Sequence, residues 1–184
     1  MRNPLSSIVR GTVSLIDSAK KLRRLQVRLT AGESKDGVEH FEPYGFTSSA
    51  LAGAEAAFAF VGGDRSHCVA VVVTDRRYRP SDLVDGEVCL FTDEGDQIRM
   101  KRGRVISVTA GSKLEVTAPE AVFNCSTSVT MNTAKLIVSG DIEAGGEIKD
   151  GTSSMQSMRN TYNSHTHAEN DSGGPTDQPN EQMT

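Results

Sequence analysis

The stretch LAGAEAAFAFVGGDRSHCVAVVV, residues 51–73, decides the fold of the N-terminal half. Its alanine content is compatible with a helix, but alternate positions from Ala54 to Phe60 are apolar, which is the period of a β-strand. The glycines and aspartate at 62–64 indicate a turn, and a valine-rich run follows at 69–73. We therefore predict a hairpin of two strands.

The segments on either side of this hairpin carry the same signal. Residues 9–15 and 25–29 each place their apolar side chains at alternate positions, and a turn at 80–86 precedes a short apolar run at 87–91. Five or six short strands in about ninety residues predict a small barrel of the OB type over residues 1–92. An SH3-like barrel is the alternative that polarity and length leave open.

Beyond residue 92 the pattern changes to a regular series of short strands. Gly95, Gly103 and Gly111 are eight residues apart. Apolar pairs two residues apart recur at 98 and 100, 106 and 108, 114 and 116, 123 and 125, 129 and 131, 136 and 138, and 142 and 144. Short strands separated by regular turns are typical of stacked β structure, and one such unit does not bury its apolar face alone. We predict that residues 93–150 form an intertwined triple-stranded β-helix. A single-chain β-helix is the alternative, but its coils need longer strands.

Composition also indicates that the chain shares its core with other chains. Only 36% of the residues are apolar and 5% are aromatic, whereas globular domains contain about 45–50% apolar residues. The deficit is concentrated in residues 92–184, which are rich in Ser, Thr, Gly, Asn, Asp and Glu. Alone, this half does not offset a backbone entropy cost of about 1–2 kcal/mol per residue. It is therefore either disordered or completed by partner copies.

Several function classes have no support in the sequence. The net charge of −4 argues against a nucleic-acid partner. Cys68, Cys89 and Cys125 form no paired motif, so we interpret them as small buried apolar residues of a protein folded in a reducing cytoplasm. No segment approaches the ~20 apolar residues of a membrane span, and the N-terminus lacks a signal-peptide pattern. Nucleotide-binding and hydrolase motifs are absent, so we expect no enzyme.

The feature that carries chemistry is the pair His165 and His167. On an extended segment these two residues point to the same side. The spacing alone favours an exposed polar pair in a Ser- and Asn-rich loop. Three chains around a three-fold axis change that interpretation, because six imidazoles complete an octahedral site that suits iron, nickel or cobalt better than zinc. Such a site has no open position and is therefore structural. Availability favours iron.

The same histidines allow a cupin-like metalloenzyme as an alternative. That arrangement needs a glutamate further along the chain and a third histidine. Glu169 follows His167 by two residues, which is too close, and none of the 17 residues after His167 is a histidine. An OB-type binding module with a disordered tail is a second alternative, but it requires a basic, aromatic strand face.

The order of these pieces resembles the baseplate assembly protein V family of contractile-tailed bacteriophages, and is closest to the central spike of Mu-like phages. In the N-terminal half the resemblance rests on YGF at 44–46, GAE at 53–55, GGDR at 62–65, DRRYR at 75–79, GE at 86–87 and DEG at 93–95. Near the C-terminus it rests on HTH at 165–167 followed by ENDSGGPT at 169–176.

This resemblance implies an all-β homotrimer with an N-terminal OB-fold, a triple-stranded β-helix and an apex domain, here residues 151–184 with a flexible tail. It implies an iron ion held by His165 and His167 of three chains, and calcium and chloride ions on the axis, with Asp171 and Ser153 as our candidates for calcium. The implied role is to pierce the host outer membrane when the tail sheath contracts. The N-terminal domain would bind baseplate and tail-tube hub proteins. We expect assembly in the host cytoplasm and a place at the virion tail tip.

Overall fold

The computed structural model of the chain describes residues 8–169 and 173–184. Eight strands and one helix are assigned: β1 (Ile8–Asp17), β2 (Arg23–Leu29), β3 (Ser34–His40), β4 (Glu55–Phe60), β5 (Cys68–Thr74), β6 (Val88–Phe91), β7 (Gln97–Lys101), β8 (Val105–Thr109) and α1 (Met155–Ser164). Two compact units divide at Pro119 and Glu120, and each is described by itself. Within the described ranges, no helix is long and apolar enough to cross a membrane.

The first five strands form a closed barrel with the order β1-β2-β3-β5-β4. All neighbouring pairs are antiparallel except β3 and β5, which run parallel and close the barrel. Register shifts interrupt the β1–β2, β2–β3 and β4–β5 ladders, and such bulges bend strands as closure requires. A barrel in the N-terminal half and the predicted hairpin of β4 and β5 are confirmed, but the barrel ends with β5 at Thr74 and the run predicted at 87–91 lies in a separate sheet.

The barrel core follows the alternation in the sequence. In β2 and β4 every second residue is buried, with Phe58 fully enclosed at the centre. The buried apolar residues are Val13, Leu25, Val27, Leu29, Val38, Ala54, Ala56, Phe58, Phe60, Cys68 and Ala70. Gly11 allows β1 to lie close to β2, because a Cβ at this position would stand 2.4 Å from the carbonyl oxygen of Arg28. Of the three cysteines only Cys68 is buried as predicted, and all three are free thiols.

A second sheet of three strands follows the barrel in the same unit. Strands β6, β7 and β8 pair antiparallel, which confirms the strands predicted at 87–91, 98–100 and 106–108. Two cross-strand rows lie on one face of this sheet and are apolar throughout: Val88, Met100 and Ile106 in the first row, and Leu90, Ile98 and Val108 in the second. These six side chains are between 44% and 68% exposed. One face of the sheet is therefore uncovered in the single chain.

A partly buried ion pair fixes the segment before β6 to the sheet. Arg99 donates two hydrogen bonds to the Glu87 carboxylate, at 3.0 and 2.6 Å, and one of 2.7 Å to Asp82. Glu87 also accepts the backbone N–H of Arg102 at 3.2 Å. The Arg99 guanidinium holds the pKa of both carboxyls below their ordinary values. This clamp was not predicted from the sequence, since the three residues are distant in the chain.

The strands predicted at 114–116, 123–125, 129–131, 136–138 and 142–144 are not present within the chain, because residues 110–147 contain no assigned strand. Every residue from 108 to 153 is exposed. A strand needs a neighbour to accept and donate its backbone hydrogen bonds, and this part of the chain supplies none. Pairing between chains stays a prediction.

The prediction of an all-β chain was wrong for residues 155–164, which form helix α1. Ser154 caps the helix, because its hydroxyl accepts the backbone N–H of Ser157 at 3.1 Å. Met155, Met158 and Tyr162 are spaced to share one face of the helix. No glycine or proline interrupts the segment. These local preferences explain a helix in a chain that was predicted to be all-β.

Candidate metal centre at the C-terminal apex

Helix α1 delivers the first histidine of the pair. The backbone N–H of His165 donates to the carbonyl oxygen of Thr161 at 3.0 Å, and the residue itself is extended, with φ −70° and ψ 147°. The helix therefore ends at His165, and the chain continues towards His167 without a further helical turn. As predicted from the i, i+2 spacing, the two imidazoles are neighbours, with ring centroids 5.2 Å apart and planes at 85°.

A hydrogen bond sets the tautomer of His165. Its Nδ1 lies 2.6 Å from the carbonyl oxygen of Tyr162. A carbonyl only accepts, so Nδ1 carries the proton and a neutral His165 keeps its lone pair on Nε2. Histidines that bind metals typically donate their other ring N–H to a carbonyl or carboxylate in this way. His165 is half-buried and meets the requirements of a metal ligand.

The second histidine is fixed through its backbone. The N–H of His167 donates to Thr176 Oγ1 at 2.8 Å, and the N–H of Thr176 donates to the His167 carbonyl at 2.9 Å. The end of the tail, predicted to be flexible, is also attached, because the Asn163 side chain exchanges two hydrogen bonds with the Met183 backbone, at 3.0 and 2.8 Å. The His167 ring itself is exposed.

One chain supplies only part of a coordination sphere. Among the described residues, no group of three or more His, Cys, Asp or Glu side chains is arranged to hold a metal ion. The cupin-like alternative, which needs its ligands from one chain, gains no support. The donors of His165 and His167 are imidazole nitrogens, which suit iron, nickel, copper or zinc rather than calcium. These residues fit a transition metal provided that further ligands come from elsewhere.

The structure describes one of the two calcium candidates, Ser153. Ser153 lies in a tight loop before α1, where its N–H and that of Thr152 each donate to the Asp150 carboxylate at 2.8 Å. These two hydrogen bonds lower the pKa of Asp150. Asp171 lies outside the described residues. Asp150 was not predicted from the sequence, although an aspartate before Gly151 is a recognisable turn signal.

An apolar groove lies beside the histidine pair. It has a volume of about 640 Å³, and its lining includes Ile148, Met155, Met158, Tyr162 and His165. All four apolar side chains are exposed to solvent in the single chain. The methionines and the tyrosine come from the one face of α1 that the sequence spacing defines. The face of the helix next to the candidate ligands is thus without a covering element.

The chain is similar in sequence to known proteins. The family described as Bacteriophage Mu Gp45, N-terminal, matches residues 10–77, which contain the whole barrel except the start of β1. The chain is 40% identical over 144 residues to the baseplate puncturing device gp45 of Escherichia phage Mu, an alignment that covers 78% of this chain and 68% of that protein. It is 36% identical over 141 residues to the Mu-like prophage FluMu protein gp45 of Haemophilus influenzae, covering 76% and 75%.

These relatives define the class as structural proteins of bacteriophages and prophages. Within that class, the chain belongs to the Mu gp45 family. The resemblance to Mu-like phages that the sequence motifs indicated is confirmed. A puncturing device is a mechanical component, so the prediction of a structural protein rather than an enzyme agrees with this family.

Proposed function

We propose that this protein is the central spike of a contractile phage tail, a homotrimer that pierces the host outer membrane when the sheath contracts. Membership of a family that includes a baseplate puncturing device supports a baseplate role and a place in the virion tail. The observation that carries the proposal further is the uncovered apolar surface of the chain. As a single chain in solution, this protein would expose far more apolar surface than soluble monomers usually do.

The apolar face of the β6–β8 sheet supports association with other copies. Its six side chains form two continuous rows with no cover. The second unit also has uncovered apolar surface. Its large apolar side chains at 122, 123, 129, 131, 136–138, 142 and 148 are all exposed. A soluble virion protein buries such surface, and copies of the same chain provide matching surfaces and strand partners. Each apolar side chain of this kind contributes about 1.5–3 kcal/mol when fully buried.

Three copies of the chain would also supply the ligands that one chain lacks for a metal centre. With the Nε2 of His165 available and His167 beside it, each chain contributes two imidazoles, and a trimer contributes six. We propose that this set binds one iron ion, because six nitrogen donors saturate an octahedral metal. A bound ion would add its binding free energy to that of assembly. The remaining ions, calcium near Asp171 and Ser153 and chloride on the axis, are proposed from the family resemblance alone.

The mechanical role is consistent with such a construction. A tip that enters a membrane under load has to resist fraying of its chain ends, and the proposed iron would tie three ends together beside α1. The part of the chain from residue 78 onward is acidic, with 16 Asp and Glu against 9 Lys and Arg. A strongly charged exterior keeps the spike soluble and discourages its retention in lipid. Hub proteins would bind at the N-terminal barrel.

The decisive experiment measures mass and metal on the same purified sample. Sedimentation equilibrium should give three chains per particle, and elemental analysis should give one iron per three chains. A monomer would contradict the trimer, and a trimer that contains zinc or no metal would contradict the iron site while leaving the spike architecture intact. The piercing role is tested by infection with phage that carry the chain without residues 165–184, which should adsorb but release little DNA.

A further inference from the structure

A loop on the barrel presents three aromatic side chains to solvent. It follows β3 and contains Phe41, Tyr44 and Phe46, which are 59%, 104% and 62% exposed. The whole chain has only six phenylalanines and three tyrosines, so a third of its aromatic residues lie exposed in six positions. Aromatic side chains are the commonest anchors of protein interfaces, and their exposure here needs an explanation.

The loop is held in one conformation by its own turn. The N–H of Phe46 donates to the carbonyl oxygen of Pro43 at 3.0 Å, which closes a four-residue turn. Gly45 has a φ of +83°, the value that the third residue of a type II turn requires and that glycine adopts without strain. Tyr44 therefore stands at the tip of a tight turn. An aromatic at such a position loses little conformational entropy on binding.

A polar network beneath the turn adds further rigidity. The Glu42 carboxylate accepts hydrogen bonds from Arg23 at 3.0 Å, from the Thr47 hydroxyl at 3.0 Å and from the Ser48 N–H at 2.8 Å. Arg23 also donates to Thr47 and to the carbonyl oxygen of Ser48. The Arg23 and Glu42 side chains are largely buried. Both ends of the aromatic turn are thus attached to strand β2.

Unpaired positive charge lies on the adjacent turn. Lys20 and Lys21, between β1 and β2, are exposed and make no ion pair with any described residue. The Ser18 and Ser49 hydroxyls lie 3.1 Å apart, which joins this turn to the loop that carries the aromatics. Residues 1–77 contain 11 Lys and Arg against 8 Asp and Glu, although the whole chain has a net charge of −4. Two exposed lysines therefore lie on the turn that is joined to the aromatic loop.

We propose that this aromatic–basic surface, formed by Phe41, Tyr44, Phe46, Lys20 and Lys21, docks a different protein of the baseplate that presents an apolar pocket with a rim of carboxylates. The inference rests on the proposed function, because it assumes that the chain is built into a tail. The exposed lysines, which make no ion pair with any described residue, favour a partner surface that carries carboxylates. The aromatic anchors supply the affinity, and the acidic rim supplies orientation.

Photo-cross-linking in assembled tails tests the surface directly. p-Benzoylphenylalanine in place of Tyr44 should, on irradiation of purified tails, join one spike chain to a different baseplate protein, and the cross-linked peptide should be rich in Asp and Glu. The same probe at Ser34, an exposed residue at the opposite end of β3, should give no such product. Cross-links only between spike chains, or none in tails that contain the spike, would overturn the proposal.

A double variant measures the contribution of the anchors. Y44S with F46S should lower the amount of spike in purified tails by about tenfold or more, the effect of losing a strong interface anchor. V72T, which changes an exposed apolar residue on β5, should leave incorporation unchanged. The isolated double variant should keep the mass and metal content of the parent, so a normal amount of spike in its tails would overturn the docking surface without touching the spike proposal. If the double variant fails to fold, the cross-linking result decides.

Discussion

The Nδ1 of His165 lies 2.6 Å from the carbonyl oxygen of Tyr162 in the last turn of α1. This contact converts a histidine next to a helix end into an oriented donor, because it leaves only Nε2 free for a ligand. His167, two residues later, has its ring beside that of His165. The geometry of the pair is thus set by the helix, the Tyr162 carbonyl and Thr176, before any metal binds.

Removal of both imidazoles should abolish metal binding. H165A with H167A deletes every proposed donor, so elemental analysis should find no iron in the purified double variant. Sedimentation should still give the parental mass, because the exposed apolar surface of β6–β8 and of residues 122–148 is unchanged. Hydrogen exchange should become faster in α1, which loses the proposed tie at its C-terminal end.

The matched control for this variant is T166A. Thr166 lies between the two proposed ligands, is exposed, and points to the opposite side of the extended segment. It should retain a full complement of iron. Iron in the double histidine variant, or its loss from T166A, would show that the ligands are elsewhere.

The clamp of Arg99 with Glu87 and Asp82 should make the first unit sensitive to acid. Arg99 lowers the pKa of both carboxyls from ordinary values of 4.5 and 3.8. Groups with a depressed folded-state pKa contribute stability that is present above the ordinary value and is lost as the pH falls through the folded value. The melting temperature should therefore decrease as the pH is lowered below about 4. R99M should lower the melting temperature at neutral pH and make it depend less on pH.

An exposed ion pair supplies the comparison for that experiment. Lys113 and Glu115 are 2.8 Å apart, with side chains 67% and 69% exposed. Solvent screens such a pair, so K113M should change the melting temperature little at any pH. Equal losses in R99M and K113M, measured by calorimetry between pH 3 and 7, would show that the Arg99 clamp has no special role.

The close approach of β1 and β2 should make Gly11 intolerant of a side chain. In G11A the new Cβ would stand 2.4 Å from the carbonyl oxygen of Arg28 and 3.1 Å from the Phe58 ring. The strands have to move apart over a filled core, which typically costs about 1–3 kcal/mol. Urea unfolding should show this loss for G11A, whereas T12A, at the adjacent exposed position, should remain within about 0.5 kcal/mol of the parent.

Sequence patterns predicted the parts of the fold that one chain completes by itself. The alternation from Ala54 to Phe60 and the Gly62–Gly63 turn give the β4–β5 hairpin, because both strands find their partners within the barrel. The pairs from 114 to 144 have the same period, yet form no ladder, since no strand among the described residues pairs with them. Helix α1 was missed because residues 151–184 were assigned to the apex domain of an all-β chain. Local capping by Ser154 and the 3–4 spacing outweighed that interpretation.

The candidate site also combines features that the sequence predicted with features that it did not. The i, i+2 spacing predicted that His165 and His167 are neighbours. It gave no indication of the Tyr162 carbonyl or of the Thr176 contact, which depend on where α1 ends and on how the tail returns. Asp171, named from the family resemblance, lies outside the described residues. Asp150, which organises the loop around Ser153, was overlooked because its role is local and involves only backbone groups.

A charge on the apolar face of the β6–β8 sheet should prevent assembly. Ile106 lies on β8, an edge strand of the sheet, directly opposite Met100 on β7. Its side chain is 68% exposed in the single chain. In I106D the single chain loses almost nothing, because the aspartate stays in water. In the proposed trimer the carboxylate would be removed from water without a partner, which is far more costly than the loss of one apolar contact. Sedimentation should therefore show monomers for I106D. T109D, on the opposite face of the same strand, should remain trimeric, and a trimer in both variants would show that this sheet face is not where the copies meet.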